Sequence, residues 1–131
     1  MTTAVPARND IDLDRTWDLS RIYADWSAWD ADVDAIESEL DGLRDLRGTL
    51  GRSAAAFRAA VERLHGVRER LGRVIVYASM RSDEDTRVGD HTARDGRAGS
   101  LAVAFSEAVS WFEPELLALD DAVLDRYLEQ D

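Results

Sequence analysis

Lysine and cysteine are both absent from the 131 residues, and histidine and proline occur only twice each. The absence of cysteine leaves a metal ion without thiolate ligands and fits a reducing cytosol. Because there is no apolar run of 18 residues, a membrane-spanning helix is excluded. Because no basic segment followed by an apolar one comes after Met1, we expect no secretory signal and a cytoplasmic protein.

The charge is strongly acidic, with 27 Asp and Glu residues against 16 cations, all of them arginine, for a net charge of −11. A field of this sign repels nucleic-acid phosphates and anionic lipids, so we expect neither nucleic acid nor a membrane as a partner. Hydrophobic residues make up 45% of the chain, which is enough for the core of a single domain.

Two long helices are predicted by apolar residues spaced three and four apart. The first follows Asp25, a potential N-cap, and ends before Gly48. Acidic residues are concentrated in its first half, where they interact favourably with the helix dipole. The second runs over residues 54–81 behind a Ser53 cap. Their apolar stripes are Trp26, Trp29, Val33, Ile36, Leu40 and Leu43 in the first, and Phe57, Val61, Leu64, Leu71, Ile75 and Ala78, with an adjoining face of Val67, Val74 and Tyr77, in the second.

A polar stop, Asp83-Glu84-Asp85, separates the second helix from a third. We expect this acidic turn to supply the N-cap of the third helix, which begins near Thr86. Pro114 should end or kink that helix because proline has no amide hydrogen. Its apolar stripe is Ala98, Leu101, Phe105, Ala108 and Phe112.

The predicted fold is all-α, an antiparallel bundle of three long helices with a short amino-terminal turn and a short final helix. Residues 1–15 contain few apolar side chains and are expected to be a flexible tail. Residues 16–131 form the helical lobe, in which the aromatic residues after Thr16 plug into the domain. The final helix, residues 122–129 behind Asp120 or Asp121, carries an apolar stripe without an evident partner, consisting of Val123, Leu124, Tyr127 and Leu128.

Reactive chemistry is almost missing. Glu62 and His65 have the spacing of di-iron bundle ligands, but such a site needs that pair twice, so a solvated helix face is the simpler interpretation. His91 is expected to be a surface residue. No serine has a histidine placed to activate it, and a catalytic zinc needs three protein ligands, so we expect no bound zinc and no peptide hydrolysis.

Three pieces of sequence carry a resemblance to a known family. In chain order they resemble the amino-terminal region of oligoendopeptidase F, a branch of the M3 zinc metallopeptidases. The pieces are Trp17-Asp18-Leu19-Ser20-Arg21-Ile22-Tyr23, then Tyr77-Ala78-Ser79-Met80 running into Asp83-Glu84-Asp85-Thr86, then Phe112-Glu113-Pro114-Glu115-Leu116-Leu117. The residues of these motifs expected to be structural are Trp17, Asp18, Leu19, Tyr23, Tyr77, Met80, Asp83, Asp85, Phe112 and Pro114.

The resemblance implies a lobe that forms one wall of an enclosed channel in which a longer enzyme cuts short peptides. In that family an HExxH helix and a further glutamate hold the zinc, and this sequence contains no HExxH. No catalytic, cofactor-binding or metal-binding residue is therefore expected in this chain, which should be inert alone; zinc is implied only for the full-length parent. The alternative is a free-standing helical interaction or assembly module.

The expected partners are the remainder of the peptidase chain or a second copy, with short peptides bound only in the full-length enzyme. Trp111 and Phe112, together with the final apolar stripe, are candidates for surface that a neighbour covers. Because exposed apolar surface favours association, the sequence predicts a homo-oligomer, most simply a two-fold dimer.

Overall fold

The computed structural model describes residues 4–130, and these residues contain helices and no strand. The all-α prediction is confirmed. Three short 3₁₀ turns, Arg8–Asp10, Leu13–Arg15 and Leu19–Arg21, precede five α-helices. The helices are α1 (Trp26–Arg44), α2 (Ala54–Glu84), α3 (Gly89–Ala108), α4 (Phe112–Leu117) and α5 (Asp121–Leu128). None of the helices in this part of the chain is long and apolar enough to cross a membrane.

The first two helices are antiparallel. Near the start of α1, the Trp29 indole Nε1 donates a hydrogen bond to the Val74 carbonyl near the end of α2, at 2.9 Å. Near the other end, the Arg63 guanidinium of α2 lies beside Gly42 of α1. Helix α3 then runs parallel to α1, because arginines early in α3 pair with acidic residues early in α1.

The predicted N-caps of α1 and α2 are confirmed, whereas Asp120 precedes α5 without a side-chain cap bond. The Asp25 side chain accepts a hydrogen bond from the Ala28 amide at 2.9 Å, and Ser53 accepts one from the Ala56 amide at 3.1 Å. These bonds satisfy amides at the helix start that have no partner within the helix.

The acidic turn does not cap α3, contrary to the prediction. Asp83 and Glu84 extend α2 by one more turn, and α3 begins at Gly89 behind Val88, which makes no side-chain cap. The Asp85 carboxylate is already used, because it accepts the Arg87 amide at 3.0 Å and pairs with the Arg87 guanidinium at 2.7 Å. A local ion pair has therefore taken the carboxylate expected to cap the helix.

The core lies where α2 is covered by α1 on one side and α3 on the other. All of the predicted α1 stripe except the half-buried Trp26 is buried. In α2 the two predicted faces merge into one, and Phe57, Val61 and Ile75 are only half-buried at its margins. The buried residues of α2 are Ala60, Leu64, Val67, Leu71, Val74, Tyr77 and Ala78.

The end of α3 differs from the prediction. The helix stops at Ala108, six residues before Pro114, and Pro114 lies in the first turn of α4, where a missing amide hydrogen costs little. Trp111 is buried, not exposed as predicted, and its Nε1 donates to the Leu43 carbonyl at 3.1 Å. Phe112 is half-buried beside it. These aromatics form a small second core with Leu50 and Ala60.

Two glycines inside α2 have no packing role within the described residues. A Cβ built on Gly66 or Gly72 meets no atom within 4 Å. Gly48, in contrast, has φ of +82°, in the left-handed region that other residues adopt only with strain.

We expect Gly66→Ala and Gly72→Ala each to raise the free energy of unfolding by roughly 0.4–1 kcal/mol, since alanine restricts the unfolded chain and favours the helix. Gly48→Ala is the matched control and should lower it by about 1–2 kcal/mol. Urea titration followed by circular dichroism measures all three. A loss of stability in both α2 variants would contradict the open space around these glycines.

Candidate functional site

Two of the three family-like sequence pieces meet in space, between the amino-terminal turns and the carboxyl end of α2. Leu19 is buried in the core, and the Tyr23 ring contacts the Tyr77 ring edge-on, with centroids 5.4 Å apart. Met80 is half-buried and packs against the same core. The residues of the first piece lie more than 50 positions before those of the second in the sequence, and the antiparallel fold brings the two pieces together.

A groove of about 450 Å³ lies between these elements. Trp17, Asp18 and Tyr23 line one side, and Tyr77 and Arg81 line the other. A neighbouring depression of about 380 Å³ shares part of this lining and adds Met80 and Asp83. We call these two together the motif groove.

Trp17 lies on the rim of the motif groove with 79% of its surface exposed. This corrects the prediction that the aromatic residues of this segment plug into the domain, which holds for Tyr23 but not for Trp17. The 3₁₀ turn that follows, Leu19–Arg21, directs Leu19 inward. Asp18 caps this turn by accepting the Ser20 amide at 3.2 Å, and the hydroxyl of Ser20 holds the pKa of Asp18 below its ordinary value.

An ion-pair chain closes the groove at one end. Glu84 accepts from Arg8 Nε at 3.0 Å and from Arg81 Nη1 at 2.9 Å, and its side chain is only 15% exposed. Arg8 falls in the segment predicted as a flexible tail, and no sequence signal links it to a partner 76 residues away. The flexibility of residues 1–15 stays a prediction, and residues 1–3 lie outside the described part of the chain.

A polar network beneath the motif groove ties the amino-terminal turn to α1 and α2. The Tyr23 hydroxyl donates to Asp32 Oδ2 at 2.5 Å, and Arg70 donates to Asp32 Oδ1 at 2.5 Å and to Glu39 at 2.7 Å. Burial raises the pKa of the Tyr23 hydroxyl, and the bond to Asp32 raises it further. Burial alone would raise the pKa of Asp32, but the hydrogen bonds from Tyr23 and Arg70 outweigh it and lower that pKa.

A second cluster, which sequence reasoning missed, surrounds Trp26. Its ring lies 5.1 Å from Tyr77 and 5.5 Å from His91 between centroids, and the Arg94 guanidinium carbon lies 4.8 Å from it. His91 is therefore half-buried and not the surface residue predicted. The spacing of Trp26 in the α1 stripe signalled contact with the core, but nothing in the sequence paired it with α3.

The third sequence piece lies elsewhere. Phe112 and Pro114 belong to α4, and neither lines the motif groove. Asp85 points into its own local pair with Arg87, whose hydrogen bonds lower the pKa of Asp85 to about 2. The structural residues carried by the resemblance are thus split between the groove, the acidic turn and the second core.

The metal-ligating residue types are dispersed among the described residues. Glu62 and His65 are both exposed on α2, and within residues 4–130 no three His, Asp or Glu side chains are grouped so as to hold a metal ion. The Ser79 hydroxyl donates to Asp95 at 2.8 Å and does not meet a histidine. What this surface offers is an open groove beside the packed helices of the core.

Comparison with known proteins confirms the resemblance predicted from the sequence. The chain is 33% identical over 122 residues to oligoendopeptidase F, plasmid, of Lactococcus lactis subsp. cremoris. The alignment covers 92% of this chain and 20% of that protein. It is 30% identical over 124 residues to oligopeptidase PepF of Bacillus subtilis. This alignment covers 95% of this chain and 18% of that protein. No protein-family model matches the chain.

A solved structure likewise matches most of this chain and only part of a longer peptidase. Oligoendopeptidase-F from Enterococcus faecium superimposes with a TM-score of 0.76 at 34% identity, over 82% of this chain and 21% of that one. The chain therefore spans about one fifth of the length of the relatives it matches. It is homologous to a segment of these peptidases, which agrees with the predicted amino-terminal region.

The polar network generates a stability prediction. Asp32→Asn should lower the free energy of unfolding at pH 7 by about 1–3 kcal/mol, since it removes the charged acceptor that Tyr23 and Arg70 share and leaves Arg70 paired with Glu39 alone. The folded-state pKa of Asp32 is lowered, so its contribution is present above the unfolded pKa of about 3.9 and is lost as the pH falls below it. Denaturant titrations between pH 7 and pH 3 should show the two proteins converging.

Asp34→Asn is the matched control. Asp34 pairs with Arg97 but its side chain is 68% exposed, and exposed pairs contribute at most about 1 kcal/mol. Equal losses in both variants would show that the network has no special role.

Proposed function

We propose that this chain, which is homologous to a segment of oligoendopeptidase F, is the amino-terminal helical lobe of a zinc metallo-oligoendopeptidase. The observation that carries the proposal is similarity along nearly the whole chain, in both sequence and structure, to about one fifth of such peptidases. In this proposal the zinc and the catalytic residues lie in the other four-fifths.

The chemistry of the chain supports a structural role for this lobe. Several of its polar residues pair one helix with another, as in the Tyr23–Asp32–Arg70 network. A rigid three-helix support is suited to forming one wall of a channel that admits short peptides and excludes folded proteins. The lobe would thereby limit substrates without touching the reacting bond.

One observation favours a second candidate, a free-standing helical interaction module. Trp17 exposes most of its side chain on the rim of the motif groove, and Leu13 nearby is 85% exposed. Tryptophan is enriched among the residues that dominate protein–protein binding. Such a module would bind a protein segment without any peptidase attached.

Exchange of the lobe tests the first proposal. The matching fifth of Enterococcus faecium oligoendopeptidase-F is replaced by residues 4–130 of this chain, and cleavage of a quenched fluorescent oligopeptide is measured. We expect the chimera to cleave the peptide at a rate well above background, because the equivalent fold presents the same wall to the channel. The chain alone should give no cleavage and should retain no zinc after dialysis, since no three ligands are grouped within residues 4–130.

A chimera carrying an unrelated helical bundle of equal length is the control. Zinc-dependent cleavage by the isolated chain would overturn the proposal. So would a folded, zinc-loaded chimera no more active than the control, and that result would favour the free-standing module.

A further inference from the structure

The third family-like sequence piece lies outside the motif groove, and one of its residues carries a buried atom without a hydrogen-bond partner. Within residues 4–130, four buried side-chain polar atoms have no partner, and only Glu115 Oε2 belongs to an acidic residue. The other three are nitrogens of the cluster around Trp26. Because buried polar atoms in proteins are nearly always paired, this carboxylate oxygen needs a donor that the described residues do not supply.

Glu115 lies in the wall of a depression between the turn that follows α1 and the start of α4. The depression has a volume of about 450 Å³ and is lined by Arg47, Gly48, Ser110, Trp111, Pro114 and Glu115. Its shape is held by backbone and core contacts, since Gly48 turns the chain with a φ of +82° and Trp111 donates to the Leu43 carbonyl. We call it the α1–α4 depression.

The α4 side of this depression offers hydrogen-bond acceptors. Glu115 is half-buried, and the terminal torsion of glutamate is broad, so a small rotation brings Oε2 to the depression. The Ser110 hydroxyl donates to the Glu107 carbonyl at 2.9 Å, which leaves its own oxygen able to accept. An ammonium group supplies three donors to such acceptors, and a cation beside the Trp111 ring gains further attraction.

The other side of the depression carries the opposite charge. Arg47 is exposed and forms no ion pair with a described residue, and its guanidinium matches the geometry of a carboxylate. A simple cation at this place would meet Glu115 but be repelled by Arg47, and a simple anion would meet Arg47 but be repelled by Glu115. The ligand that satisfies both residues therefore carries both charges.

We infer that the α1–α4 depression binds a small zwitterion, with its primary ammonium group on Glu115 and its carboxylate on Arg47. This chemistry is shared by a free amino acid and a short unmodified peptide. The inference goes beyond the proposed function, because it rests on residues of this chain alone and requires no other part of a peptidase. Since the depression is open to solvent, we expect a dissociation constant in the millimolar range.

Titration of the unaltered chain with capped and uncapped ligands tests the inference without any substitution. Alanine and dialanine carry both charges, whereas N-acetyl-dialanine lacks the ammonium group and dialanine amide lacks the carboxylate. We expect alanine or dialanine to shift the NMR signals of the Gly48 amide and the Trp111 indole N–H to saturation. Each capped form should bind at least about tenfold more weakly, because it loses one charge-assisted hydrogen bond. Saturation by alanine identifies an amino acid as the ligand, and saturation by dialanine alone identifies a peptide.

Two substitutions locate the ligand on the proposed residues. Glu115→Gln keeps the size of the side chain and removes its charge, and Arg47→Gln removes the opposite charge. The matched controls are Glu113→Gln on α4 and Arg52→Gln before α2, both exposed and outside the lining of the depression. We expect each of the first pair to weaken binding at least about tenfold, with both controls unchanged. Thermal melts followed by circular dichroism show which variants are folded, and the capped ligands decide the matter if Glu115→Gln is not.

Three results overturn the inference. The first is the absence of saturable shifts with both zwitterions, and the second is equal binding of the capped and uncapped forms. The third is tighter binding of dialanine amide to Arg47→Gln than of dialanine to the unaltered chain, because the site then takes a simple cation. None of these results depends on peptide cleavage by the Enterococcus faecium chimera, so the proposed function and this inference fail separately.

Discussion

Burial of α2 from two sides is the constraint on which the lobe depends. Val74 and Tyr77 are almost wholly inaccessible because α1 and α3 both pack on this helix. The Trp29 indole fixes how α1 lies on it, since a fully buried N–H must find an acceptor and here takes the Val74 carbonyl. That bond helps to fix the register of α1 against α2, and the motif groove lies between the amino-terminal turns and the carboxyl end of α2.

The acidic load of α1 shows how charge and packing are combined. The sequence suggested that these residues complement the helix dipole. In the structure many of them meet arginines from neighbouring helices, as Asp32 does with Arg70 and Asp30 with Arg94. The net charge of −11 therefore conceals an ordered pattern, in which acidic residues of α1 pair with arginines of α2 and α3.

The sequence predicted what local rules decide. Side-chain caps and a 3–4 apolar period are properties of a few adjacent residues, so Asp25, Ser53 and the α1 stripe were found correctly. The predictions that were wrong concern residues whose partners are distant in sequence, or side chains for which two partners compete. Arg87 pairs with the carboxylate of Asp85, Trp111 donates to the Leu43 carbonyl 68 residues away, and Trp17 lies outside the core while Leu19 is buried in it. The motif groove could be predicted only as a set of residues, since spacing does not say which of them meet.

The thin support of α5 has a consequence for how the lobe moves. Segments with little buried surface open on their own, at a cost far below that of global unfolding, and their amides exchange with solvent accordingly. The α5 segment is of this kind, while the α1–α2 core lies at the other extreme. Any partner that covers α5 must order it as well as touch it, so part of the contact free energy is lost to ordering and the contact becomes easy to reverse. Binding of the partner and ordering of α5 would then occur together.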